Sequence, residues 1–176
     1  MSADEERGLH RHRRDAPVSV ACAVVTVSDT RTLETDTGGA LVQELLEQAG
    51  HRVAERSIVN DEPDEIRAAV ERATCEGDVR AVVLTGGTGV APRDVTPDTV
   101  EPLLERVIPG FGELFRMLSF DEIGPAALLS RALAGLRAGR VVFVIPGSRG
   151  AVRLALERLI VPELAHLAGE ATKTRS

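Results

Sequence analysis

Two short blocks carry the residue types best suited to chemistry on a phosphate: Thr85-Gly86-Gly87-Thr88-Gly89 and, three residues on, Arg93-Asp94-Val95-Thr96-Pro97. Glycines at 86, 87 and 89 admit positive φ and leave no Cβ in the way, so an anion can approach the main-chain N–H groups. Thr96 reads as a helix N-cap with Pro97 at the first helical position, which leaves Asp94 without a structural duty and makes it a candidate Mg²⁺ ligand. The competing reading is an ordinary tight turn, since glycine-rich loops after strands are common in α/β proteins. No Gly-Lys-Ser/Thr follows, which excludes the P-loop, and Pro92 stands where the third glycine of the dinucleotide fingerprint would fall.

Several elements must position these blocks. Ala81–Leu84 is a short apolar run that reads as a buried strand feeding the glycines, and Val18–Val27, nearly continuous in Val and Ala, reads as another strand buried on both faces. Ser28 and Asp29 follow at that strand's C-terminal end, where open α/β sheets bind ligands; Ser-Asp-Thr also makes a good turn, and both readings stand. A helix with Leu41, Val42, Leu45, Leu46 and Ala49 on one face closes at Gly50. Val53–Val59 is a weaker, alternating strand placed nearer an edge, and Asp61 before Pro63 reads as the cap of the next helix. A helix is expected from Pro97 through Val107, with Pro102 as an irregularity, and a further helix over Ala126–Ala134. Val141–Ile145 reads as a strand, Ser148 as the cap of a last helix that Pro162 interrupts. Phe111, Leu114, Phe115 and Leu118 belong to packing, inside the domain or between subunits. Strand-like runs alternating with helices predict a three-layer α/β/α sandwich with a mostly parallel central sheet.

Composition narrows the function. A chain of 176 residues supports one domain, read here as residues 18–168, with a mobile charged tail over 1–17 and a frayed C-terminus over 169–176. A net charge of −6 with both signs scattered, no Trp or Tyr and four Phe argues against nucleic acid as a partner. No apolar run is long enough for a membrane span and the N-terminus lacks a signal-peptide core, so a soluble, cytoplasmic protein is expected. Cys22 and Cys75 match no zinc or redox spacing and read as reduced thiols in the core.

The two blocks resemble the signature of the MogA and MoaB family of molybdenum cofactor biosynthesis. Pro109-Gly-Phe-Gly-Glu113, Leu129-Ser130-Arg131 and Pro146-Gly147-Ser148 resemble further blocks of that family in the same order, with Arg149 where the family usually has proline. The resemblance implies Mg-dependent transfer of AMP from ATP to the terminal phosphate of molybdopterin, with release of pyrophosphate. By that resemblance Asp61 and Asp94 are the essential aspartates and hold Mg²⁺. Gly86, Gly87, Thr88 and Gly89 cradle phosphates, and Ser28, Asp29, Glu113, Ser130, Arg131, Gly147 and Ser148 shape the substrate side. It further implies a homotrimer or homohexamer. Some MoaB-type members depart from the enzyme at the two aspartates, whereas this chain keeps both. Two rival readings remain: a molybdopterin-binding scaffold without catalysis, and a nucleotide pyrophosphatase like the related domain of competence-damage-inducible proteins.

Overall fold

The computed structural model describes residues 19–75 and 77–173; the expectations for the tail at 1–17, for Val18 and for 174–176 fall outside these. The elements run β1 (Ala21–Val27), α1 (Thr37–Gln48), β2 (Arg52–Val59), α2 (Pro63–Cys75), β3 (Ala81–Thr85), α3 (Thr96–Val100), β4 (Arg106–Val107), α4 (Pro109–Ile123), β5 (Leu133–Arg137), β6 (Arg140–Ile145), α5 (Arg149–Ala155) and α6 (Val161–Ala171). They form one six-stranded sheet of order β2-β1-β3-β6-β5-β4, in which β2, β1, β3 and β6 are parallel and β5 is antiparallel to both neighbours.

Strand periodicity explains the three layers. Cys22, Val24, Ala81, Val83, Phe143 and Ile145 point to one face and pack with α1, α4, α5 and α6. Ala23, Val25, Val82, Leu84, Val142 and Val144, the alternate residues, point to the other face and pack with α2 and α3. Both faces of β3 are buried, which is why its sequence is a continuous apolar run rather than an alternating one. Each fully buried Phe, Leu, Ile or Val in these layers contributes roughly 1.5–3 kcal/mol relative to exposure. β2, with its partly exposed alternating pattern, is the edge strand that its sequence predicts.

The chain leaves β1 for β2 on one side and then returns to β3 on the other, so the strand order reverses between β1 and β3. The loops leaving these two strands therefore diverge and open a crevice at their C-terminal ends, where ligands bind in open α/β sheets.

Three local expectations are corrected. The helix from Pro97 stops at Val100; Glu101–Leu103 is a 3₁₀ turn and Arg106–Val107 pairs with β5, because Pro102 removes the N–H that a continuing helix needs. Ala126–Ala134 is not a helix: Gly124–Leu129 is a 3₁₀ turn, Ser130 is extended and Leu133 opens β5. Gly135 is the reason β5 fits there, since a Cβ would stand 2.6 Å from the Arg106 carbonyl oxygen. Pro162 does not end the last helix. Leu156–Ile160 widens into a π turn, which accommodates the missing N–H, and helix continues through Gly169 to Ala171.

Of the two cysteines, Cys22 is buried as expected, its thiol pushed up to about 12 by desolvation, whereas Cys75 at the end of α2 is exposed; both are free thiols. His51, nearly buried, accepts a hydrogen bond at Nδ1 from the Val20 N–H at 3.3 Å, and burial holds its pKa below the usual range. Among the described residues no helix is long and apolar enough to cross a membrane.

Candidate functional site

The loop after β3 begins at Gly86, whose φ of 110° no side-chain-bearing residue adopts readily, and continues through Gly87 at φ 60°. Gly86 lies so close to β1 that a Cβ would overlap the Val27 carbonyl oxygen, and its N–H donates to the Ile145 carbonyl at 3.1 Å. The bare backbone is thus wedged between the ends of β1 and β6. Gly147, in the loop after β6, lies against Gly86, and its carbonyl oxygen would meet a Cβ on Gly38 at 3.0 Å. Three polar loops, after β1, β3 and β6, therefore meet at one sheet edge. A cavity of about 110 Å³ lies among them, lined by Thr26, Ser28, Arg31, Thr37, Gly86 and Gly147. Its floor is set by Asp36, which is buried, accepts a 2.7 Å hydrogen bond from the Thr26 hydroxyl and caps α1 through the Gly39 N–H at 2.8 Å.

Both aspartates reach the glycine backbone. A Cβ on Gly87 would stand 2.8 Å from Asp61 Oδ1, and one on Gly89 would stand 2.7 Å from Asp94 Oδ2. Gly89 is required for this clearance, since it does not adopt positive φ. Asp61 comes from the loop after β2, where its N–H donates to Asp29 Oδ1 at 3.0 Å, so the β1 loop brings a third carboxylate beside it. Burial, then the Asp29 charge, push the Asp61 carboxyl above the usual carboxylate range; Asp94 adds to this and Arg93 opposes it. The cluster holds more negative charge than its own cation neutralises.

This arrangement fits Mg²⁺. That ion takes one or two carboxylates and completes its octahedron with water and substrate phosphate oxygens, so a full protein cage is not required. Among the described residues no group of three or more His, Cys, Asp or Glu side chains could hold a metal by itself, so a cation here would have to draw most of its ligands from water and substrate. Asp94 Oδ2 accepts a 2.9 Å hydrogen bond from the Ala91 N–H, which leaves Oδ1 for a cation. The expectation that Asp94 has no structural duty is corrected by this bond. Nor does Thr96 cap α3. Val95 occupies the N-cap position without a side-chain bond, and the buried Thr96 hydroxyl lies beside Gly87 with no hydrogen-bond partner among the described residues. Glu65, in the first turn of α2, accepts from the Asn60 N–H at 3.0 Å.

The family described as "Probable molybdopterin binding domain" matches residues 23–166. The chain belongs to this family. It is 51% identical over 168 residues to molybdenum cofactor biosynthesis protein B of Halalkalibacterium halodurans, covering 95% of this chain and 99% of that one. A crystal structure of a molybdenum cofactor biosynthesis protein B superposes with a TM-score of 0.88 at 50% identity, covering 91% of this chain and all of that one. The tungsten cofactor synthesizing protein MoaB of Pyrococcus furiosus superposes with a TM-score of 0.81 at 36% identity, covering 90% and 100%.

Within this family member the remaining predicted residues fall into two groups. Ser28 is at the crevice, where its Oγ accepts from the Thr30 N–H at 3.3 Å in a turn, and Thr88 is buried in the glycine loop. Ser148 caps α5 through the Ala151 N–H at 3.3 Å, as the sequence predicts. Ser130 Oγ accepts from the Ala132 N–H at 3.4 Å, and Arg131 has protein partners at the glycine loop. Glu113 is exposed in the first turns of α4. Sequence reasoning missed Asp36 and Asp98. Asp36 looked like one polar residue in Thr-Asp-Thr, and Asp98 like first-turn decoration of a helix; neither position distinguishes a buried or paired carboxylate from an exposed one.

Proposed function

We propose that this chain acts in molybdenum cofactor biosynthesis as a molybdopterin adenylyltransferase, consuming ATP and molybdopterin with Mg²⁺ held between Asp61 and Asp94. The observation that carries the reading is the approach of both carboxylates to one glycine backbone from loops after two different strands. Family membership and the names of its relatives support the coarser role in cofactor biosynthesis. Adenylyl transfer rests on the site itself.

In this reading a terminal phosphate oxygen of molybdopterin attacks the α-phosphorus of ATP. A new P–O bond forms, the bond to the bridging oxygen breaks, and pyrophosphate leaves with the electron pair. Mg²⁺, when bound, supplies positive charge against the triphosphate. The chain's own residues align the reactants: main-chain N–H groups at Gly87–Gly89 face the phosphates, the Gly86 N–H being taken by the Ile145 carbonyl, and Asp61 and Asp94 fix the cation. No side-chain nucleophile is needed, because the substrate carries its own. Incubating the protein with molybdopterin, ATP and Mg²⁺ should release pyrophosphate, and omitting the pterin should stop it. Absence of release from the full mixture would leave a binding protein without catalysis, and release without pterin would indicate a pyrophosphatase.

The assembly is proposed to be a homotrimer or homohexamer. Leu114, Met117, Phe120 and Ile123 on α4 are 47–60% exposed, and Leu128 and Leu129 continue the apolar surface. Six exposed large apolar side chains on one helix and the turn after it suit burial against another copy. Sedimentation of the wild type should give three or six copies, and Phe120→Glu with Ile123→Glu should give monomer; a monomeric wild type would overturn the assignment.

A further inference from the structure

We propose that Arg131 is a positioning residue that clamps the Asp94 loop, not a ligand of substrate phosphate. The proposal rests on the reading of Asp94 as a metal ligand. Arg131 Nε donates to the Gly89 carbonyl at 2.8 Å, Nη2 donates to the Asp94 carbonyl, and Nη1 donates to both Asp98 carboxylate oxygens at 2.9 and 2.7 Å. Its backbone N–H donates to the Thr88 carbonyl at 3.1 Å. One residue thereby ties the start of the loop, its end and the helix that follows.

A guanidinium has five N–H donors, and these contacts engage one on each of its three nitrogens, the Nη1 N–H being shared between the two Asp98 oxygens. Its plane is fixed by two carbonyls and its charge is already matched by the Asp98 carboxylate, so it is committed to the loop rather than to a phosphate. Within the loop, the Asp94 N–H donates to the Ala91 carbonyl at 2.9 Å and Asp94 Oδ2 accepts from the Ala91 N–H at 2.9 Å. The loop is thus closed on itself at Ala91 and Asp94, and Arg131 fixes that closed turn against Gly89. Lysine cannot replace this function, because a single ammonium cannot span two carbonyls and a carboxylate in a fixed plane.

Arg131→Lys, Arg131→Ala and Asp98→Ala are compared with wild type by Mn²⁺ binding followed by electron paramagnetic resonance, by amide hydrogen exchange and by ATP affinity at saturating Mg²⁺. Both Arg131 variants should weaken Mn²⁺ binding about 10–100-fold, as loss of an outer partner of a metal ligand does. Exchange at the Ala91 and Asp94 amides should quicken by about tenfold or more while β3 amides stay protected, which separates loop release from global unfolding. ATP affinity at saturating Mg²⁺ should stay within about twofold of wild type, as expected where no direct phosphate contact is lost. Asp98→Ala should act in the same direction, more weakly.

Lost ATP affinity at saturating Mg²⁺ with wild-type Mn²⁺ binding and exchange would overturn the proposal. So would tighter ATP binding by Asp98→Ala, the result expected if removing its partner frees the guanidinium for phosphate. Asp94→Asn serves as the separate control. Unchanged Mn²⁺ affinity in that variant would refute the metal reading alone, and the exchange rates at Ala91 and Asp94 would still decide the clamp.

Discussion

Asp61→Asn and Asp94→Asn should each reduce pyrophosphate release by at least about a hundredfold, since each removes a carboxylate that holds the cation neutralising the triphosphate. Their stabilities should respond differently from their activities. Asp61 is held above the ordinary carboxylate range by burial and by Asp29, so the fold disfavours its ionised form. The native state then binds a proton more tightly than the unfolded chain, and the stability from this group is present below the unfolded pKa of 3.8 and is lost as pH rises through the raised folded value. Asparagine carries no charge, so Asp61→Asn should melt no lower than wild type in metal-free buffer, and Mg²⁺ with ATP should raise the melting temperature of wild type only. An inactive variant with undiminished stability is the signature of a residue kept for function. Asp94→Asn differs, because Asp94 Oδ2 also receives the Ala91 N–H; an amide flipped to present its oxygen preserves that bond, so its stability should change little.

The second large effect is structural. Gly86→Ala should destabilise the protein by about 3 kcal/mol or more, because it combines a disfavoured left-handed φ with overlap on backbone that has nowhere to move. The φ of 110° and the Val27 carbonyl oxygen beside the Cβ position supply those two costs. For a chain of this size the melting temperature should fall by roughly 6–12 °C. Gly150→Ala is the matched comparison. Nothing lies within 4 Å of a Cβ there and α5 is helical, so alanine should be neutral or stabilising by up to about 1 kcal/mol. Calorimetry of the two variants side by side measures the difference. Equal melting temperatures would mean that the wedge of Gly86 between β1 and β6 is not what holds the loop.

These effects trace back to how the sequence encodes the site. β1, β3 and β6 were legible because strands buried on both faces must be continuously apolar, and α1 because its apolar stripe ends at Gly50 with φ 85°. The convergence of the loops after β1, β3 and β6 followed from that parallel order. β4 and β5 were not legible. Two residues carry no periodicity, and Leu-Ala-Gly-Leu-Arg lacks the β-branched residues that mark a strand. The helix read over Ala126–Ala134 failed for the same reason, since runs of Ala and Leu favour helix until a tertiary partner, here β6, claims the backbone.

At the site, residue identity was legible and residue duty was not. Asp94 and Arg131 stand out in sequence, yet nothing in a linear pattern states that the Arg131 fork reaches Gly89, Asp94 and Asp98. Thr96 read as a cap because threonine before proline so often is one. Its buried hydroxyl beside Gly87, unpaired among the described residues, is visible only when the loop is folded. Arg149, the departure from the family's proline, occupies the first position of α5 and is exposed, while Ser148 caps that helix all the same.

The central claim is that carboxylates from two separate loops share one divalent cation beside the glycine backbone. Crystals grown with ATP and Mn²⁺, with data collected at the manganese edge, test it most directly. The account predicts one anomalous peak within about 2.5 Å of a carboxylate oxygen of both Asp61 and Asp94, with the nucleotide phosphates completing the coordination sphere. A manganese ion bound to the nucleotide but remote from either aspartate would contradict it.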